Sequence, residues 1–106
     1  MDFKECYTIV KDKFSHTDFS SVNNDFTCLV HFVDQCGGYV FLSYKDGMKV
    51  IVPENRSMAD VTISLKIETF EKIINNSLDP VFAFTTGQIQ AKGNVMRALS
   101  IYNSLR

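Results

Sequence analysis

Long apolar runs are missing from this 106-residue chain. No stretch approaches the length of about eighteen residues that a membrane-spanning helix needs, and the start, Met1-Asp2-Phe3-Lys4-Glu5, lacks the basic and apolar regions of a secretory signal. A soluble, cytoplasmic protein is the expectation. Cysteine is scarce: Cys6, Cys28 and Cys36 are odd in number and contain no C-x-x-C pair, which argues against a disulfide framework or a zinc ribbon and for reduced thiols. An excess of one charge is also lacking. Eleven Lys and Arg against twelve Asp and Glu leave a net charge of −1, so the chain has no electrostatic footprint for nucleic acid.

Catalytic signatures are thin as well. Only His16 and His31 could act as imidazole bases, and neither belongs to a recognisable constellation with a nucleophile and an orienting acid. There is no Walker loop, no G-x-G-x-x-G, no H-E-x-x-H and no calcium loop, and Gly37-Gly38 is too short to cradle a phosphate. The expectation is a protein that is not an enzyme, with no cofactor and no metal. Cys28 and Cys36 could serve as nucleophiles only if a base or an activating charge were placed beside them, and no motif does so.

The chain is nevertheless rich enough in apolar residues, at 45%, to build a core. Surface scaling gives a folded area of about 6,000 Å² against roughly 17,000 Å² unfolded. One domain over residues 1–106 is expected, without linker or internal repeat. Asp2, with Glu5 three residues later, opens a helix carrying Phe3, Tyr7, Val10 and Phe14 at helical spacing, about three turns long. Ser15 to Asn24 reads as a loop pinned by Phe19 and Val22, which places His16 in a loop. From Phe26 the period becomes two, with Phe26, Cys28, Val30 and Phe32 on one face and Thr27, Leu29, His31 and Val33 on the other. Gly37-Gly38 and the hairpin signal Asp46-Gly47 then divide the next strands, giving a three-stranded antiparallel meander.

After the break at Pro53, the alternation of Ala59, Val61, Ile63 and Leu65 with Asp60, Thr62 and Ser64 marks a half-buried strand. A short amphipathic helix with Ile67, Phe70, Ile73 and Ile74 follows and ends at Asn75-Asn76-Ser77. Asp79-Pro80 opens another, which Gly87 stops, before a fifth strand at Gln88 to Lys92 and a last helix marked by Val95, Ala98, Leu99, Tyr102 and Leu105. Met96 and Ile101 widen the apolar arc of that helix. With Phe70, Ile74, Phe82 and Phe84, it gives the second half more apolar helical surface than one sheet face clearly requires. Ordinary core packing is one reading of this excess. An apolar cavity between helices and sheet is the other.

The run Ala59-Asp60-Val61-Thr62-Ile63-Ser64-Leu65, then Leu78-Asp79-Pro80, Ala83-Phe84, Gly87, and Lys92-Gly93-Asn94 with Ala98-Leu99 resembles the sterol carrier protein type 2 domain family. The resemblance is strong over about half the chain; the first half is similar only in layout. It implies an α+β fold, a five-stranded, mostly antiparallel sheet covered on one face by helices, with an apolar tunnel between them. It further implies non-catalytic intracellular binding or transfer of a sterol, fatty acid, fatty acyl-CoA or phospholipid. Carried over by position, the tunnel walls would include Phe70 and Ile74 on the middle helix and Phe82 and Phe84 after the proline. Met96, Leu99 and Tyr102 on the last helix would complete them, with Phe32, Phe41 and Ile63 as the floor.

Three segments depart from the family pattern. Gln88 and Gln90 stand where lysines are frequent, Val95-Met96-Arg97 replaces smaller residues, and Ser104-Leu105-Arg106 does not fit an S-K-L peroxisomal signal. Lysine loss weakens the attraction to acidic membranes or CoA phosphates, and bulk at Met96 would narrow the tunnel. The partner expected is a lipid or other hydrophobic small molecule, with transient membrane contact, an enzyme partner and a homodimer left open. The alternative from another functional class is an accessory or interaction module with a filled core, partnering an enzyme of lipid metabolism.

Overall fold

The computed structural model describes residues 1–17, 25–56, 58–96 and 98. Its elements run in the order α1 (Phe3–His16), β1 (Phe26–Phe32), β2 (Tyr39–Lys45), β3 (Met48–Val52), β4 (Val61–Leu65), α2 (Ile67–Ile74), α3 (Pro80–Thr85) and β5 (Ile89–Gly93). Val95, Met96 and Ala98 are helical, and the amide of Ala98 donates to the carbonyl of Asn94 at 3.2 Å. The strands form one sheet in the order β3-β2-β1-β4-β5. Every neighbouring pair is antiparallel except β1 and β4, which run parallel.

Local chemistry explains where the elements start and stop. The Asp2 carboxylate accepts from the Glu5 amide at 2.8 Å and caps α1. That helix runs past Ser15 to His16, so His16 belongs to its last turn rather than to a loop. The reason lies in a strand far along the chain: Lys49 on β3 donates to the carbonyls of Ser15, at 3.2 Å, and of Thr17, placing a cation on the negative end of the helix. Its Nζ also sits 5.9 Å from the centroid of the Phe14 ring. The Thr17 hydroxyl, back-bonded to the Lys13 carbonyl at 2.6 Å, satisfies another terminal acceptor.

Two short helices end alike. At the end of α2, Ser77 donates to Lys72 at 2.8 Å and Asn76, at φ 60°, donates to Ile73 at 3.1 Å. At the end of α3, Gln88 donates to Ala83 at 2.8 Å and Gly87 to Phe84 at 3.2 Å. Both are Schellman closures, in which a left-handed residue returns two amides to terminal carbonyls. Asp79 caps α3 through the Val81 amide at 3.1 Å. The α2 cap comes from elsewhere: Asp34, in the turn after β1, accepts from the Ile67 amide at 2.8 Å.

The helices cover one face of the sheet. Cys6 and Phe14 of α1 and Ile67 of α2 form one cluster with Phe26, Cys28, Phe32, Val40, Leu42, Val61 and Leu65. Ring edges lock it, with Phe14 against Phe26 at 6.4 Å and Phe3 against Phe32 at 5.9 Å. Leu29 and Phe41 point to the opposite face yet are also buried. The connection from β3 to β4 crosses this outer face and brings the Arg56 guanidinium over the Phe41 ring at 5.2 Å.

The crossing ends at Asp60, whose side chain accepts from the Thr27 amide at 3.0 Å while its own amide donates to the Thr27 hydroxyl at 2.8 Å. Its carbonyl accepts from the Asn94 amide at 3.1 Å, which closes β5 onto β4. Gly93 permits this approach, because it lies at φ 95° and a Cβ there would sit 2.3 Å from the Asp60 carbonyl oxygen. Gly93→Ala is expected to cost about 2 kcal/mol or more in urea unfolding, combining backbone strain with the clash. Gly47→Ala, also at positive φ but with nothing within 4 Å, is expected to cost less.

Candidate functional site

Across the helix-covered face, three rows of side chains can be read from the strand register. One row runs Leu42, Cys28, Val61 and ends at Gly93. Another pairs Phe32 with Leu65 and Ile89. Between them lies Val40, Val30, Ile63 and Ala91. The flanking rows are sealed over β1 and β4, where Cys28, Val61, Phe32 and Leu65 are all buried. The middle row is not: Val40 is fully buried, but Val30, Ile63 and Ala91, on three adjacent strands, are each partly exposed although they face the helices. An apolar trough therefore runs between these rows, which are closed over β1 and β4 and partly exposed at Ile89 on β5.

Phe70 of α2 stands at its margin, edge-on to Phe32 with ring centroids 5.3 Å apart. Phe70, Ile63, Ile89, Ala91 and Ala98 pack against the core as partly buried residues. Among the described residues, the row and its margin are apolar, a surface suited to burying hydrocarbon.

The sequence-derived site residues divide accordingly. Phe32, Ile63 and Phe70 come together, and Ile74 lies half-buried at the end of α2. Phe41 does not join them. Its register partner is Leu29, one residue out of phase with Cys28 and Val30, so it faces away from the helices and lies under Arg56. Phe82 and Phe84 sit two positions apart on α3, a separation that points them to different sides of a helix, and they are 56% and 43% exposed. Ala83 between them is the residue that α3 buries. Met96 is 73% exposed. Leu99, Tyr102 and Leu105 lie outside the described residues, as do Arg97, Phe19 and Val22.

Val30 and Ala91 were not singled out from the sequence. Strand alternation did place Val30 beside Phe32. Only the β1–β4–β5 pairing shows that Val30, Ile63 and Ala91 share one row.

Both histidines stand apart from the trough. His16 bonds the Asp12 carbonyl at 2.8 Å on the exposed end of α1, and His31 lies on the outer face, stacked on Tyr39 at 4.2 Å. Cys6 and Cys28 are buried, and burial pushes their thiols up to about 11 and about 12, so neither supplies thiolate at neutral pH. Cys36 is exposed in the turn after β1. Among the described residues no three His, Cys, Asp or Glu side chains converge as a metal site requires, and no helix is long and apolar enough to cross a membrane.

The sequence model of the SCP-2 sterol transfer family matches residues 26–106, from the first strand onward. Hydroxysteroid dehydrogenase-like protein 2 of Rattus norvegicus is 32% identical over 99 residues, covering 92% of this chain but 18% of its own length. The chain thus spans about a fifth of that relative. Among solved structures, palmitated SCP2L2 from Aedes aegypti superposes with a TM-score of 0.77 at 14% identity, covering all of this chain and 96% of that one. A variant of the sec-alkyl sulfatase PisA1 superposes with a TM-score of 0.79 at 19% identity, covering 91% of this chain and 15% of the sulfatase. At these identities the two structures establish the α+β fold.

Thiol burial yields two expected outcomes. Under native conditions a maleimide reagent labels Cys36 alone, and Cys6 and Cys28 react only after denaturant is added, as intact mass would record. Both buried thiols lose protons less readily in the folded than in the unfolded chain. Their contribution to stability is therefore complete below the ordinary thiol value of about 9 and declines as pH rises toward 11 and 12, visible as a falling urea midpoint in alkaline buffer.

Proposed function

Because the chain belongs to the SCP-2 sterol transfer family, we propose that it binds a lipid or other hydrophobic small molecule between the sheet and its helices and carries it without chemical conversion. The observation that carries this reading is the partly exposed row of Val30, Ile63 and Ala91, an apolar trough between rows that are buried on β1 and β4. On this reading Phe32 and Ile63 belong to the floor and Phe70 and Ile74 to the wall. Phe82, Phe84 and Met96 extend the enclosure, and Leu99 and Tyr102, outside the described residues, are assigned to it by the family resemblance alone. The chain is read as one ligand-binding unit.

Energetics support an occupied site. A tunnel of about 300 Å³, the small end for a ligand pocket, would cost on the order of 7 kcal/mol if left empty, comparable with the whole stability of a small domain. Each buried methylene of an acyl chain contributes about 0.8 kcal/mol, so twelve would give roughly 10 kcal/mol before the costs of association. Selectivity among related chains would be modest, since one methylene in an apolar site discriminates by only about 1–3 kcal/mol. The protein purified from its host is accordingly expected to carry lipid, seen by native mass spectrometry and identified after denaturing extraction.

A second reading rests on the rat relative. Matching about a fifth of a protein named for a dehydrogenase, the domain would present its lipid to an enzyme, as an accessory unit, rather than ferry it between membranes.

The decisive test is saturable binding of a fluorescent fatty acid to delipidated protein. Val30→Phe, which fills the trough from its floor, is expected to weaken binding about tenfold or more while the fold is retained. Val52→Ser, on the outer face, is expected to leave binding unchanged. Failure of the unmodified, folded, delipidated protein to bind would reject the reading.

A further inference from the structure

The three rows of the helix-covered face end differently at their two extremes. Toward β2 they finish on Leu42 and Val40, both buried, and on Gly38, whose carbonyl accepts from the Phe32 amide and against which the Phe3 ring packs so closely that an added Cβ would lie 2.9 Å from its nearest atom. Toward β5 they finish on Ile89 and Ala91, both partly exposed, and on Gly93, which is exposed. Bulk falls as cover falls, since two of these three positions are alanine and glycine. The middle row is therefore blind at Val40 and has its mouth at β5, which ends the strand order among the described residues.

Strand spacing fixes how long that row is. Neighbouring strands lie about 4.8 Å apart, so the floor from Ala91 across Ile63 to Val30 measures about 10 Å. An extended hydrocarbon advances about 1.3 Å per methylene, so about eight methylenes span it, or about ten carbons with a terminal methyl and a carboxylate. Breadth is limited too: inward rows repeat about every 7 Å along a strand, and those on either side are closed by Cys28 and Val61 and by Phe32 and Leu65. A single chain has the breadth of one aliphatic side chain and fits one row, whereas a fused ring system laid on the sheet covers two. Val40 and Val30 at the blind end cannot pair a charge, so a carboxylate stays at the mouth. We propose that the trough is a measuring slot for one unbranched acyl chain of about ten carbons, lying across the strands with its methyl end stopped at Val40 and its carboxylate in water beside β5. The proposal rests on the lipid-binding reading and narrows it: Val30 and Val40 set the length accepted, and sterols are refused.

Calorimetric titration of delipidated protein with saturated fatty acids from hexanoate to palmitate, each below its micelle concentration, tests the slot. Every added methylene is expected to raise affinity about fourfold as far as decanoate and to add little beyond it, because further methylenes remain in water at the mouth. Dehydroergosterol is expected not to compete. Val30→Phe shortens the floor by one strand and is expected to move the break down by about four carbons, to near hexanoate. Val40→Ala removes the stop and is expected to move it toward longer chains. Since Val40→Ala also opens a cavity in the core, Val30→Phe, at a partly exposed position, is the variant on which the test turns. Affinity that climbs steadily from decanoate to palmitate, competition by dehydroergosterol, or an unmoved break in folded Val30→Phe would overturn the slot and leave lipid binding standing. Binding of none of these ligands would overturn both.

Discussion

A strand that runs parallel to its neighbour cannot reach it by a hairpin, so β4 has to be set beside β1 after the chain has crossed two strands, and the contacts that fix that placement converge on Asp60. Thr27 and Asp60 exchange bonds between side chain and backbone in both directions, which defines where β4 begins relative to β1. The Asp60 carbonyl then receives Asn94 past a glycine that leaves room for it. Three strands are pinned at one end by a handful of polar atoms. From that point the register places Val30, Ile63 and Ala91 in a single row, and the trough follows. A one-residue slip would turn Ile63 to the other face and bring Thr62 inward.

Much of the fold was legible because its signals are local. Asp2, Asp46-Gly47, Asn76, Asp79-Pro80 and Gly87 each act within a few residues of themselves, through a cap, a tight turn or a left-handed closure. The end of α1 was not legible, because the lysine that extends it is on β3, thirty-odd residues away. Phe41 was misplaced for a related reason. Alternation separates two faces of a strand without saying which is inward, and on a strand with apolar residues on both faces the answer comes only from pairing. The buried outer face, with Arg56 laid over Phe41, is why β1 and β2 needed apolar residues on both sides.

The two halves of the helix-covered face differ in a way that composition does not reveal. Over β1 and β2, α1 presses Cys6 and Phe14 into the sheet, and Cys28, Phe32, Val40 and Leu42 beneath are closed to solvent. Toward β4 and β5 the described covering elements are the short helices α2 and α3, and Val30, Ile63 and Ala91 keep part of their surface exposed. The buried thiols belong to the packed half, where burial raises them and their role is that of small apolar side chains.

Lys49 lies on β3, which stands at one end of the strand order among the described residues, a margin where natural sheets commonly station a charge to discourage another chain from adding itself to the backbone. Here that charge is drawn inward to hold the end of α1, and the flanking Met48 and Val50 are left exposed. Brevity of the strand and Pro53 just beyond it are what remain to limit growth along that margin. Helix anchoring and protection against aggregation thus compete for one side chain, and losing the α1 contact would return to the margin the guard that it gave up.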